Sequence, residues 1–183
     1  MTDKFVLFKK KWPLVFFMVV VILLVLNSFN YWSGKKLDQE IGGISTIFID
    51  AIDLSINSDR DLYQAHTASQ QFLLKISANK VAAQQELATF YANATQALDR
   101  MRQAKNLLKD YPQVDKVMTS FESDYTVWLN SAQLMFNMAN ADRLEEAVNF
   151  NNHILHEHFL LLRDHFDVMG EMAKEIADSQ TNQ

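Results

Sequence analysis

Residues 41–76 read IGGISTIFIDAIDLSINSDRDLYQAHTASQQFLLKI, and apolar or small residues recur in this stretch with a seven-residue period. The recurring positions are Ile41, Ile44, Phe48, Ala51, Ser55, Ser58, Leu62, Ala65, Ser69, Phe72 and Ile76. Steps of three and four residues place these side chains on one face of an α-helix. The stretch therefore predicts a long helix over about residues 38–78, in which the serines leave space for close helix approach or for a small cavity.

The sequence that follows predicts three more helices, over about residues 81–111, 113–139 and 142–180. Their apolar stripes are Leu87, Phe90, Ala94, Ala97, Met101, Ala104 and Leu108 in the second helix; Val117, Phe121, Tyr125, Trp128, Leu129, Ala132, Met135 and Phe136 in the third; and Leu144, Val148, Asn151, Leu155, His158, Leu162, His165, Met169, Met172 and Ile176 in the fourth. Pro112 ends the second helix, because the residue before a proline avoids the α-helical conformation. The predicted fold class is all-α: an up-down-up-down four-helix bundle with long first and fourth helices.

Upstream of the bundle, residues 12–34 contain no charged residue, and the stretch Pro13–Leu26 is apolar on every helical face. Such a helix is on the order of 34 Å long, which is enough to cross a hydrocarbon core of about 30 Å. The lysines before it are Lys4, Lys9, Lys10 and Lys11, and those directly after it are Lys35 and Lys36. This excess predicts a cytoplasmic N-terminus. A cleaved signal peptide is the alternative, but Tyr31 and Trp32 stand where a cleavage site needs small residues.

The predicted domains are a cytoplasmic N-terminus (residues 1–11), a transmembrane helix (12–34) and a periplasmic four-helix sensor domain (35–183). The net charge is −5 and most acidic residues follow the span, so the sequence offers no basic patch for nucleic acid. It contains no cysteine, no glycine-rich phosphate loop and no Gly-x-Ser-x-Gly motif. We therefore expect neither an enzyme nor a cofactor.

Residues 57–65 of the first helix read NSDRDLYQA. With the basic N-terminus, the single span and the four helices, this segment resembles the N-terminal part of methyl-accepting chemotaxis proteins. The resemblance implies the sensor portion of a bacterial chemoreceptor in the inner membrane, pairing as a homodimer through its first helix. It also implies a small ligand bound between the first and fourth helices near that interface, and a small axial displacement of the fourth helix. That helix would lead into a second span and a cytoplasmic signalling region, which are absent from this sequence, unless the natural chain stops near residue 183.

Arg60 is the basic residue that stands alone between Lys36 and Lys75, and its guanidinium is suited to holding a carboxylate with two hydrogen bonds. Tyr63, Gln64 and Thr67 follow it at offsets that share one helical stripe. Together they predict a site for an amino acid or an organic acid. In the alternative interpretation Arg60 forms a solvated pair with a neighbouring carboxylate, or a pair with a carboxylate of the fourth helix, and Tyr63 and Gln64 pack in the bundle. Because adjacent residues of a helix do not face each other, a partner on another helix or a ligand is favoured.

If the first and fourth helices are antiparallel, Arg60 lies level with Phe159 and Thr67 with Asn152. The segment 149–158 is rich in asparagine and histidine, and Asn151 and His158 occupy apolar-stripe positions. A buried polar group needs a hydrogen-bond partner, water or a cavity. The predicted ligand site therefore also includes Asn151, Asn152 and His158.

Four histidines lie in the fourth helix, namely His153, His156, His158 and His165. Their spacing does not give the i, i+4 pairs that helical zinc sites use, so we predict no metal site. Structural histidines are the favoured interpretation, and a pH-responsive cluster is the alternative, because imidazole titrates near pH 6.5.

Two other functions remain open at this stage. The same sensor domain is compatible with a histidine kinase or a cyclic-dinucleotide enzyme as the output module. A membrane-tethered bundle that docks a partner, without sensing a ligand, belongs to a different class. The sequence does not identify the ligand, and it does not say whether a binding protein mediates the response.

Overall fold

The computed structural model describes residues 3–181, and within them every regular element is helical and no strand occurs. The elements are α1 (Asp3–Lys75), α2 (Lys80–Leu107), α3 (Pro112–Val117), α4 (Phe121–Asn140), α5 (Leu144–Phe150), a π-helical turn (Asn151–Leu155) and α6 (His156–Thr181). The described residues thus confirm the all-α class. Outside the description lie Met1, Thr2, Asn182 and Gln183 of the predicted terminal domains, and the side chains of residues 3–11, 13, 14, 38–41, 43–45, 117 and 181.

The chain divides into two compact units, Met1–Ile44 and Ser45–Gln183. In the N-terminal unit, Val15–Leu37 is long and apolar enough to cross a membrane, with a mean hydropathy of 2.1 and no buried residue in that window. Exposed apolar side chains over such a length are unfavourable in water, whereas lipid is an apolar solvent for them. A candidate membrane helix is thereby confirmed where one was predicted. Its bounds, Val15 and Leu37, each lie three residues after the predicted bounds of 12 and 34.

The C-terminal unit buries the predicted apolar stripes in one core. Every described position of the first stripe is buried, from Phe48 to Ile76. The second stripe is buried from Phe90 to Leu108. The centre of the core is aromatic, because Phe90 packs on Trp128 with ring centroids 5.2 Å apart. The seven-residue periodicity was therefore a sound guide to which helix faces are buried.

Contacts between the helices of this unit run in opposite chain directions. They are Lys75–Glu86 and Asp61–Arg100 between α1 and α2, Ser55–Phe166 and His66–His156 between α1 and α6, Tyr91–Gln133 and Arg102–Glu122 between α2 and α4, and Ser131–His158 and Asp124–His165 between α4 and α6. In each helix pair, later residues of one helix contact earlier residues of the other. These four pairs of helices are therefore antiparallel where they touch.

The helix predicted over residues 113–139 is interrupted, which corrects the sequence-based expectation. Pro112 stands in the first turn of α3, and Met118, Thr119 and Ser120 then form a turn before α4 begins. The Thr119 hydroxyl donates to the Asp115 carbonyl at 2.8 Å. The same kind of contact occurs inside the uninterrupted helix α4, so it accompanies the break without explaining it.

The predicted fourth helix contains the π-helical turn Asn151–Leu155, which the periodicity did not indicate. A π-helical turn holds an additional residue and so changes the register of a heptad pattern. Leu155 is fully buried, whereas Val148, one heptad earlier, is 39 % exposed. The shift in register explains why Val148 departs from the predicted stripe.

Candidate functional site

Arg60, Tyr63, Gln64 and Thr67 lie together on one side of α1, as their spacing predicted. With α1 residue Ala68 and α2 residues Glu86, Thr89 and Asn93, they line an open groove with a volume of about 390 Å³. We call these eight residues the Arg60 groove. Its polar groups are a guanidinium, a phenol, hydroxyls, amides and one carboxylate, a set that recognises small polar molecules.

The Arg60 side chain is 54 % exposed, and its Nη2 donates to Asp61 Oδ1 at 3.2 Å. A partner on another helix or a ligand was favoured, whereas the observed contact is the alternative pair with a neighbouring carboxylate. The Asp61 carboxylate is almost fully buried, and the long side chain of Arg60 bends towards it. A guanidinium has five N–H donors, so one contact leaves donors for a ligand carboxylate.

Asp61 also binds Arg100 of α2, whose Nη1 contacts the other carboxylate oxygen. The same nitrogen donates to the Asn57 carbonyl at 3.3 Å. A buried carboxylate is stable when it is paired with hydrogen-bond donors in this way. The pair fixes α1 against α2 beside the Arg60 groove. The sequence signal for it was weak: Asp61 precedes the stripe residue Leu62 and resembles a solvent-exposed acid.

The residues predicted on the fourth helix do not line the Arg60 groove, whose described lining comes from α1 and α2. Asn151 is buried, and its Nδ2 donates to Oδ1 of the exposed Asn152 at 3.2 Å. The buried Asn151 Oδ1 has no hydrogen-bond partner. His158 faces α4, where its Nδ1 lies 2.8 Å from the Ser131 hydroxyl. The structure therefore does not bring the two predicted halves of the site into one groove.

The contact between α1 and α6 is close to the predicted register, with an offset of about one turn. Phe159 packs against Tyr63 rather than lying level with Arg60, and the ring centroids are 5.1 Å apart in an edge-to-face arrangement. The Arg163 guanidinium carbon lies 4.9 Å from the centroid of the Tyr63 ring. Arg163 Nε donates to Asp59 Oδ1 at 3.1 Å. Burial raises the pKa of Asp59, and the charge of Arg163 opposes that effect.

His66 is a functional candidate that the sequence reasoning missed. It is 7 % exposed and stacks on Phe159 with ring centroids 4.3 Å apart. Gln70 Nε2 lies 3.1 Å from His66 Nε2, and the buried Nδ1 has no hydrogen-bond partner. Burial, and then the nearby His156, lower the pKa of His66 to about 4. Its position directly after the stripe residue Ala65 was the available signal.

Among the described residues, no group of three or more histidine, cysteine or carboxylate side chains is placed to hold a metal ion. Two histidines of α6 face α4 and contact its side chains. His165 Nε2 lies 2.8 Å from Asp124 Oδ2, and His158 Nδ1 lies 2.8 Å from the Ser131 hydroxyl.

Comparison of the chain with family models, with curated proteins and with solved structures finds no match. The functional argument therefore rests on the geometry of this chain.

Proposed function

We propose that the chain is the sensor portion of a bacterial transmembrane chemoreceptor that detects a small periplasmic molecule. The observation that carries the proposal is the extent of α1 (Asp3–Lys75). This one helix includes both the apolar segment Val15–Leu37 and the groove residues from Arg60 to Thr67. One helix then contains a candidate membrane anchor and a cluster of ligand-binding groups. In this proposal the anchor lies in the inner membrane and the C-terminal unit in the periplasm.

The proposed architecture of the C-terminal unit is an up-down-up-down four-helix bundle. Its four rods are the C-terminal part of α1, then α2, then α3 with α4, and finally α5 with the π-helical turn and α6. The antiparallel contacts within the four helix pairs support this order. A bundle of this kind offers grooves between adjacent helices where polar side chains converge.

The proposed ligand is a small carboxylate, such as an amino acid or an organic acid. Arg60 would hold the carboxylate, because its guanidinium is exposed and keeps free donors. Gln64, Thr67 and Thr89 supply amide and hydroxyl groups along the same groove. Glu86, which accepts from Lys75 Nζ at 2.5 Å, places a carboxylate at the other side, where an ammonium group of the ligand would be favourable.

A homodimer is proposed because α1 exposes a second apolar stripe away from the core. Ile49, Ile56 and Tyr63 follow one another at seven-residue intervals, and all three are exposed. Apolar side chains repeated with this period form the contact face of paired helices. Pairing along this face would place the Arg60 groove of each protomer beside the dimer contact.

Signalling in this proposal requires two arrangements of α6 that bind the ligand with different affinity, since only differential affinity shifts an equilibrium.

The test is titration calorimetry of the full chain in lipid nanodiscs against a panel of amino acids and dicarboxylic acids. We expect at least one member to bind, and Arg60→Ala to weaken its affinity by about 10- to 100-fold, the size of a lost charge-assisted hydrogen bond. Arg143→Ala is the matched control, because Arg143 is similarly exposed at 52 % and also pairs with one nearby carboxylate, that of Glu146. Equal affinity in Arg60→Ala would remove Arg60 from the site, and no binding across the panel would contradict direct sensing of these acids.

A further inference from the structure

His66 lies in an unusual environment for an ionisable group, because aromatic and imidazole rings surround it. Its ring is stacked on Phe159 at 15° between the planes, and the His156 ring lies 5.7 Å away. His156 also stacks on Phe159, with centroids 6.1 Å apart. The three rings form a layer between α1 and α6, which we call the imidazole layer (His66, His156 and Phe159).

The hydrogen bonds of His66 favour the neutral ring. The Gln70 amide nitrogen lies 3.1 Å from His66 Nε2, and an unprotonated Nε2 accepts this hydrogen bond when the proton of the neutral ring resides on Nδ1. The buried Nδ1 has no partner. A second proton would occupy Nε2, break the hydrogen bond from Gln70 and place a charge on a buried ring.

The charged groups around the layer do not compensate for that charge. Among the described residues of α6, His156 is the titratable residue whose charge lowers the pKa of His66. Further along this contact, Arg163 of α6 and Asp59 of α1 bind each other at 3.1 Å. A second imidazolium at His156 would add repulsion.

We propose that His66 and His156 form a proton-binding site that makes the contact between α1 and α6 separate in acid. Protonation at Nε2 breaks the hydrogen bond from Gln70 and places a charge on a buried ring, whereas the separated state accepts the proton in water. The proton is then an input in its own right, independent of the small carboxylate proposed for the Arg60 groove. The inference uses α6 as the moving element but does not require any ligand.

The size of the response follows from linkage between proton binding and conformation. A histidine that titrates near pH 4 in the closed contact and near 6.5 in the open one shifts the open-to-closed ratio by about 30-fold between pH 8 and pH 5. Above about pH 8 both states bind almost no proton at His66, so the ratio no longer changes appreciably with pH there. The response is therefore confined to mildly acidic conditions.

The experiment measures the distance between spin labels on α1 and α6 of the full chain in nanodiscs at pH 8 and pH 5. The native sequence has no cysteine, so a double variant with Asp53→Cys and Glu175→Cys takes labels at two exposed positions. We expect the population of longer distances to rise strongly at pH 5 while the far-ultraviolet helix signal is retained. His66→Phe preserves an aromatic ring without a proton site and should abolish the rise. His153→Gln, which alters an exposed histidine of the π-helical turn, should respond as the native chain does.

Two results would overturn the proposal. One is an unchanged distance distribution between pH 8 and pH 5 in the otherwise native chain, and the other is a full response in His66→Phe. If that variant fails to fold, the nuclear magnetic resonance titration of the His66 ring in the native chain decides: a midpoint near 6.5, the value of free imidazole, excludes the proposal. Carboxylate binding measured at pH 8 is unaffected by any of these outcomes, so the two proposals fail separately.

Discussion

The contact between α2 and α4 and the contact between α1 and α6 are built from different chemistry. In the first, Phe90 packs on Trp128 and on Phe136 at 5.2 Å and 5.0 Å, and all three rings are buried. In the second, the Ser55 hydroxyl donates to the Phe166 carbonyl at 2.6 Å, and Phe159 packs on Tyr63 and on the ionisable ring of His66. Apolar aromatic rings pack in the same way at any pH, whereas the packing of a buried imidazole depends on its protonation. The α1–α6 contact is therefore where this unit is best able to change shape with pH.

The same comparison shows where polar atoms are left unsatisfied. Nδ1 of His66 and Oδ1 of Asn151, both buried without a partner, belong to α1 and to the π-helical turn that leads into α6. Ser58 Oγ of α1 and Trp128 Nε1 of α4 are also buried without a partner, so three of the four such atoms among the described residues belong to α1 or to the π-helical turn. Unsatisfied groups lower the cost of leaving the observed arrangement. The predictions that follow test whether the two contacts differ in this way.

The largest effect is expected for Trp128→Ala, which removes the central ring of the α2–α4 contact. Trp128 is fully buried, so the loss of apolar burial and the cavity left behind should lower the free energy of unfolding by about 3–5 kcal/mol. Urea unfolding of the full chain, followed by helix content, measures the change. Val127→Ala is the control at a neighbouring position that is 46 % exposed, and we expect it to cost less than about 0.5 kcal/mol. A small effect of Trp128→Ala would show that the aromatic contact is not the rigid one.

An intermediate effect is expected from pH, and its sign follows from His66. The pKa of His66 is lowered to about 4 in the folded chain from 6.5 in the unfolded one. The unfolded chain then binds the proton more readily, so stability is complete above pH 7 and declines as pH falls from 6.5 towards 4. Between pH 7.5 and pH 5 the loss should be about 2 kcal/mol for this one histidine.

Urea titrations of the native chain and of His66→Phe at the two pH values measure that loss. The variant should lose less stability in acid than the native chain by roughly the stated amount. The carboxylates and the other histidines titrate in both proteins, so the difference between the proteins isolates His66. An equal decline in both would contradict the assignment of acid sensitivity to the α1–α6 contact.

The sequence predicted helices and buried faces well because both depend on local periodicity. It failed where a feature depended on a partner from another helix. Arg100 pairs with Asp61, and Phe159 stacks on His66, but no spacing rule links these positions. Arg60, Tyr63, Gln64 and Thr67 line one groove because they share one face of one helix. Asn151, Asn152 and His158 do not line that groove, since the face that each helix turns towards its neighbours is set by packing.

The smallest effect is expected for Gly170→Ala on α6, opposite Ser55 of α1. A Cβ at this position would lie 3.7 Å from Ser55 Oγ and 4.0 Å from Ser55 Cβ, which are ordinary contact distances. Glycine within a helix is less favourable than alanine by about 1 kcal/mol, and the new methyl group requires no shift of Ser55, so the variant should unfold at slightly higher urea. The urea midpoint of Gly170→Ala measures this gain, with Ala173→Gly as the reverse change at a buried α6 position. An unchanged or lower midpoint would show that the α1–α6 contact does not accommodate one additional methyl group.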